Sequence, residues 1–374
     1  MKRFLLLSLF FLLVKSAIAQ QLNDSLETRI QTDSSQAGEL QLHLQNFNYL
    51  RNYEFFNKFQ DGYTLFGTHL SPQLVYHPDA KLSVAAGVLL RQDFGTSGIY
   101  KSYPLLTLKY QTKSTALLFG ALEGSINHRF IEPVVDYETR IVDPVEYGLQ
   151  VVINNKKLFL DGFLNWKNMI YKPATSQERL YAGISADVTF VERGDVRISF
   201  PGQLLIFHQG GQIDVTGLPL QTLMNAAAGV KFAVKSEGFV KQWRTENYLL
   251  SSQELSPEKK LPYSSGAALF LNGGLDSKAG TLLLSYWFGN GYTSGTGMPI
   301  YQSVSQQINN VGLKEKHRQL VFLRYAYQRQ LIKNLYLDFR FEPVVDLNRP
   351  DFKLDHSETL FLVYRQQIRL FKKK

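Results

Sequence analysis

The sequence predicts an all-β fold: a closed antiparallel transmembrane β-barrel of about sixteen strands, with short periplasmic turns and longer outer loops. Three observations carry this. Apolar and polar residues alternate with a period of two along most of the chain. The connections between the alternating stretches are long and short by turns. An N-terminal export signal is followed by no apolar run long enough for a membrane helix, so lipid insertion requires a closed barrel.

In chain order, residues 1–19 read as a secretory signal peptide. Lys2 and Arg3 precede an apolar run from Phe4 to Val14, and Ala17 and Ala19 sit at the minus-three and minus-one positions of a cleavage site. Removing Lys2, Arg3 and Lys15 with it lowers the formal charge from +9 to +6. The polar stretch 20–38 is expected as a flexible periplasmic lead-in. Residues 39–371 form the barrel, and 372–374 a basic periplasmic tail.

The proposed strands are 39–50, 63–77, 81–92, 102–111, 114–123, 146–154, 157–167, 179–190, 194–208, 224–235, 239–250, 263–272, 280–289, 317–329, 334–345 and 358–371. In 146–154, Tyr147, Leu149, Val151 and Ile153 oppose Glu146, Gln150 and Asn154. In 157–167, Leu158, Leu160, Leu164 and Trp166 oppose Lys157, Asp161, Asn165 and Lys167. In 179–190, Leu180, Ile184, Val188 and Phe190 oppose Tyr181, Ser185, Asp187 and Thr189. In 334–345, Leu335, Leu337, Phe339 and Phe341 oppose Tyr336, Asp338, Arg340 and Glu342, and in 358–371, Leu360, Leu362, Tyr364, Ile368 and Leu370 oppose Arg365, Gln367 and Arg369. A helix would scatter each pair of sets.

The links near 51–62, 93–101, 124–145, 168–178, 209–223, 251–262, 290–316 and 346–357 are long and polar. Those at 78–80, 112–113, 155–156, 191–193, 236–238, 273–279 and 330–333 are tight. A soluble β-sandwich has no reason to sort its loops this way. Aromatics such as Tyr147, Trp166, Phe190, Tyr286 and Phe288 lie toward strand ends, where a girdle needs them.

Over its mature length the chain resembles a Gram-negative outer-membrane β-barrel of the porin-like kind. It departs from that pattern at its end, where Phe371 is followed by three lysines. The resemblance implies a cell outer membrane location, contact with outer-membrane lipids and delivery by the barrel-assembly machinery; a homo-oligomer is left open. A barrel this wide is not filled by its own strands, so an aqueous lumen is expected unless loops plug it.

The expected function is a porin-like channel for small hydrophilic solutes. The pore-lining candidates are Arg91, Lys109, Lys157, Asp161, Lys167, Asp187, Arg197, Lys231, Arg324, Asp338, Arg340, Arg365 and Arg369, and their basic excess predicts a mild anion preference. Passage calls for no cofactor, metal or catalytic residue. The absence of cysteine removes disulfides and thiolate metal sites, and basic residues alternating along strands make no nucleic-acid face.

The word EPVVD occurs at 132–136 and again at 342–346. Around it, His128, Arg129, Glu132, Asp136, Glu138, Arg140, Glu342 and Asp346 are read as a charged outer rim. Two alternatives stand beside the channel. One is an outer-membrane lipid hydrolase using Ser125, Asn127, His128 or His208 near that rim; an oxygen-ligated cation among Glu132, Asp136, Glu138 and Asp143 is a further option. The other is an adhesin, or a barrel subunit of a larger surface assembly.

Overall fold

The computed structural model describes residues 26–349 and 353–372. The proposed signal peptide and the last two lysines of the proposed tail lie outside the described residues. Sixteen strands form one closed meander in which each pairs antiparallel with its sequence neighbours and the last closes on the first. They are β1 (Glu39–Glu54), β2 (Thr64–Tyr76), β3 (Leu82–Asp93), β4 (Lys101–Gln111), β5 (Thr115–Ala121), β6 (Tyr147–Asn154), β7 (Leu158–Asn168), β8 (Arg179–Arg193), β9 (Val196–Gln209), β10 (Gln221–Lys235), β11 (Val240–Glu254), β12 (Ser265–Ser277), β13 (Gly280–Asn290), β14 (His317–Ile332), β15 (Leu335–Asp346) and β16 (Leu354–Lys372).

The predicted strands are all present, most within a few residues. β12 runs five residues past its expected end, because Gly273 and Gly274 pair with Leu284 and Leu283 instead of turning. A Cβ on Gly274 would lie 2.3 Å from the Leu282 carbonyl oxygen, so glycine there permits close strand contact.

The outward face is apolar. Leu106, Phe119, Leu149, Leu249 and Leu284 stand there more than half exposed, which only a lipid surround makes favourable. No helix among the described residues is long and apolar enough to cross a membrane.

Much of the interior is occupied by inward-folded segments. The β5–β6 loop folds into the lumen, carrying a 3₁₀ turn (Ser125–His128) and a single helical turn, α1 (Thr139–Val142); Ile126, Phe130, Ile131, Val134 and Ile141 are all buried. The β13–β14 loop folds in against it, burying Tyr292, Met298, Ile300 and Tyr301. The expected flexible lead-in differs as well. Leu26 is buried among Phe47, Tyr49, Ile126 and Ile141, and Thr28 and Ile30 donate backbone N–H groups to Asn127 and Glu123. A sixteen-strand barrel is too wide to be closed by side chains of the wall, and these three segments close it instead.

Candidate functional site

The two EPVVD words meet on one cation. Arg324, on β14, points inward and is 5 % exposed. Its Nη2 lies 2.6 Å from Glu132 of the loop copy, and its Nε lies 3.1 Å from Glu342 of the β15 copy. The same guanidinium donates to the Tyr301 hydroxyl at 2.6 Å. Asp346, the last residue of the β15 word, pairs with Arg318 at 2.6 Å.

The loop copy is also gripped through its backbone by the β13–β14 loop. Met298 N donates to Glu132 O, Tyr292 Oη to Pro133 O and Thr296 Oγ1 to Val134 O, while Asp136 N donates to Thr296 O. Gly297 passes so close that a Cβ would sit 2.0 Å from Pro133 O. The charged outer rim expected here is therefore corrected. His128, Glu132, Arg140, Glu342 and Asp346 are buried within the lumen, and Arg129, Asp136 and Glu138 are partly buried, because the loop turns in to cover its apolar residues.

His128 is held on both sides. Its Nε2 lies 3.0 Å from Glu146 and its Nδ1 3.2 Å from Asp161, with the ring stacked on Phe163 at 3.8 Å. Burial pushes the imidazole down, but Asp161 and Glu146 outweigh it and hold it up to about 10. An imidazolium set in ion-pair range of two buried carboxylates is a structural cation, with no lone pair to act as a base. Asp136 behaves oppositely: burial, then the Glu138 charge, raise it to about 7.

Most of the pore-lining candidates face inward, but they occur as ion pairs. Arg91 pairs with Asp93, Lys109 with Glu123, Lys231 with Asp187 and Glu246, Arg340 with Asp338 and Lys167 with Asp143. Asp161 is fully buried beside His128, Arg197 donates to Thr189, and Arg365 is partly buried. Two candidates fall elsewhere. Lys157 is exposed in the tight β6–β7 turn, and the Arg369 side chain is 65 % exposed at the turn end of β16, beside Glu39. Among the described residues, no group of three or more His, Asp or Glu side chains is placed to hold a metal ion.

A second polar cluster lies on the outward face at the long-loop end of β16, β1 and β2. Glu358 pairs in register with Asn52, and Asn52 with Thr64, so their side chains form one row across three strands. His356 Nε2 lies 3.3 Å from Glu358 Oε1, and its Nδ1 has no hydrogen-bond partner. Asn52 Nδ2 donates to Glu358 at 3.3 Å and to Glu54 at 2.9 Å, and Thr64 Oγ1 donates to Asn52 Oδ1 at 2.6 Å. One step nearer the turn end, the outward residues are Leu50, Phe66 and Leu360, all exposed. The row therefore stands where the apolar belt ends, with a carboxylate-oriented imidazole, an amide and a hydroxyl in contact.

Residues 32–373 match the family model described as lipid A 3'-O-deacylase-type. The chain belongs to this family. Among solved structures it is similar to a loop L8 deletion mutant of OmpT, an outer membrane protein of Vibrio cholerae, with a TM-score of 0.52 and 12 % identity over 88 % of this chain and 100 % of that one. It is also similar to the outer membrane protein OprD from Pseudomonas aeruginosa, with a TM-score of 0.50 and 11 % identity over 91 % of this chain and 98 % of that one. At such identities the likeness is one of fold, and it is the fold of an outer-membrane barrel. No curated protein matches the chain.

Sequence reasoning misses the rim cluster for an identifiable reason. The proposed first strand stops at 50 and the last starts at 358, which leaves Asn52, Glu54 and His356 in loops. The usable signal is the outward set of β1, where Leu42 and Leu44 give way to Asn46 and Asn48, and Leu50 to Asn52 and Glu54. Asparagine on a lipid-facing strand is costly without a partner, and Asn46 and Asn48 find theirs in Thr68 and in each other. The sequence-proposed hydrolase residues do not assemble: His128 is locked between carboxylates, and His208, on β9, contacts Thr222 of β10.

Proposed function

We propose that this barrel hydrolyses an ester-linked acyl chain of a lipid A-type amphiphile at its outward rim, while its own loops keep the lumen shut. The row Glu358–Asn52–Thr64 with His356 carries the reading, because it sets polar chemistry on the side of the barrel that a lipid touches. Membership of the lipid A 3'-O-deacylase-type family supports it. The reading puts the chain in the cell outer membrane, delivered by the barrel-assembly machinery and in contact with outer-membrane lipids.

In this mechanism Glu358 orients His356, whose Nδ1 is buried in the resting site; the ring turns to bring that nitrogen to water and takes a proton as the water oxygen bonds to the acyl carbonyl carbon. The Thr64 hydroxyl and the Asn52 amide, which donate to Asn52 and to Glu358 and Glu54 in the resting site, turn from those acceptors to reach the oxyanion. The carbon–oxygen ester bond then breaks, the proton passes from His356 to the leaving alkoxide, and a fatty acid and an alcohol result. The test is mass spectrometry of lipid A incubated with the purified barrel. His356→Ala and Glu358→Gln are expected to slow release of the acyl chain by about 10²–10⁴-fold; equal release by wild type and both variants refutes the assignment.

A second reading, a porin-like channel for small hydrophilic solutes, is favoured by a cavity of about 680 Å³ inside the lumen on the turn side. It requires the β5–β6 loop to withdraw, and several of the lumen cations are held in ion pairs. Stable open steps from wild-type protein in planar bilayers favour this reading over the first.

A further inference from the structure

The turn-side cavity contains a buried cation without a carboxylate. Arg140, on α1, lines it and is 9 % exposed, with its guanidinium 4.7 Å from the centre of the Phe47 ring. No hydrogen bond or ion pair engages that guanidinium among the described residues, and its Nε is sealed from solvent. A buried guanidinium left this way is costly unless something else meets its charge.

The rest of the wall sharpens the point. It holds Arg29, Arg140, Lys333 and Arg365 against two carboxylates, Glu27 and Glu123. Both carboxylates are already engaged, Glu27 by Arg129 at 3.0 Å and Glu123 by Lys109 at 2.7 Å. Ser125 also lines the cavity, and its Oγ is buried and unpartnered.

We propose that this cavity is a binding site for a phosphate dianion, free or as the monoester of a small molecule, seated on the Arg140 guanidinium and the Ser125 hydroxyl. An unpaired guanidinium and a free hydroxyl on one cavity wall match an anionic group of several oxygens, and the planar guanidinium fork matches two phosphate oxygens at once. Burial, then the neighbouring Arg365 and Arg340 charges, pull Arg140 down to about 9 against a smaller opposing pull from Asp338, and a bound anion would offset the like charges. Lys333 and Asn334, in the β14–β15 turn, line the same cavity, so the route in runs from the turn end. This site is separate from the rim row and does not rest on its chemistry.

The test is calorimetric titration of the mature, detergent-solubilised barrel with inorganic phosphate and with glycerol 3-phosphate, against chloride at equal ionic strength. Wild type is expected to bind phosphate. Arg140→Gln should bind it about tenfold or more weakly, and Arg140→Lys should fall between the two. Tighter binding of glycerol 3-phosphate than of phosphate identifies a headgroup-like ester as the ligand; the reverse order identifies the free ion. Arg140→Gln is expected to melt no lower than wild type without phosphate, since it removes an uncompensated buried charge. Absence of phosphate binding by wild type overturns the proposal, as does equal binding by the folded Arg140→Gln or Arg140→Lys proteins.

Discussion

Replacing Arg324 by Met tests whether the two EPVVD words hold the plug in place. The substitution keeps an unbranched side chain of similar reach and removes the cation that lies 2.6 Å from Glu132 and 3.1 Å from Glu342. Both carboxylates are then buried without it, at 7 % and 8 % exposure. Breaking a buried pair by removing one partner costs about 3–5 kcal/mol, and here two carboxylates lose the same partner, so the upper end applies. Glu132→Gln alone leaves Arg324 its Glu342 contact and should cost about 1–3 kcal/mol. The triple variant Glu132→Gln/Arg324→Met/Glu342→Gln removes charge on both sides and should recover most of the loss. The assay is urea unfolding in detergent micelles, with hydrogen exchange over residues 124–145 reporting release of the loop before the barrel itself. Arg324→Met at wild-type stability, with that loop still protected, would refute the clamp.

Three further outcomes follow from the same contacts. His128 is held up to about 10 in the folded chain against an ordinary 6.5, so its contribution is complete below about pH 6.5 and is lost as pH rises through 10; His128→Gln should flatten the fall in melting temperature across that window. Gly297→Val places a side chain where even a Cβ would lie 2.0 Å from Pro133 O, so limited proteolysis should cut the 290–316 loop faster than in wild type, with the barrel still heat-modifiable on gels. Leu284→Lys, on the outward face, should reduce folding into lipid vesicles by about 2–4 kcal/mol while the same change at exposed Lys-flanked turns such as Ser236 has little effect, measured by urea titration of vesicle-inserted protein.

The wall was legible in the sequence because lipid on one side and polar contents on the other impose a strict period of two. That is why even Asp338, Arg340 and Glu342 fall on the face predicted for them. The plug was not legible, since nothing local distinguishes a loop that folds inward from one that projects into solvent. The 124–145 loop carries charged residues that read as a wet rim, yet its Ile126, Val134 and Ile141 need cover, and only tertiary contacts reveal that Leu26, Phe47, Tyr49 and Phe361 cover Ile126 and Ile141 while the β13–β14 loop covers Val134. Some of these contacts span more than 150 residues, as with Tyr292 and Pro133. The rim row was half legible: its polar residues break the outward apolar pattern of β1, but assembling Asn52, Thr64 and Glu358 required the closure of β16 onto β1.

The proposed acyl-ester hydrolysis takes place on the lipid side of the barrel, at the row of Asn52, Thr64, His356 and Glu358. Its most direct test is mass spectrometry of lipid A from outer membranes carrying the wild-type chain or His356→Ala at matched levels. The account predicts lipid A lacking one ester-linked acyl chain with wild type and intact lipid A with the variant. Intact lipid A from both, at verified levels of folded barrel, would contradict it.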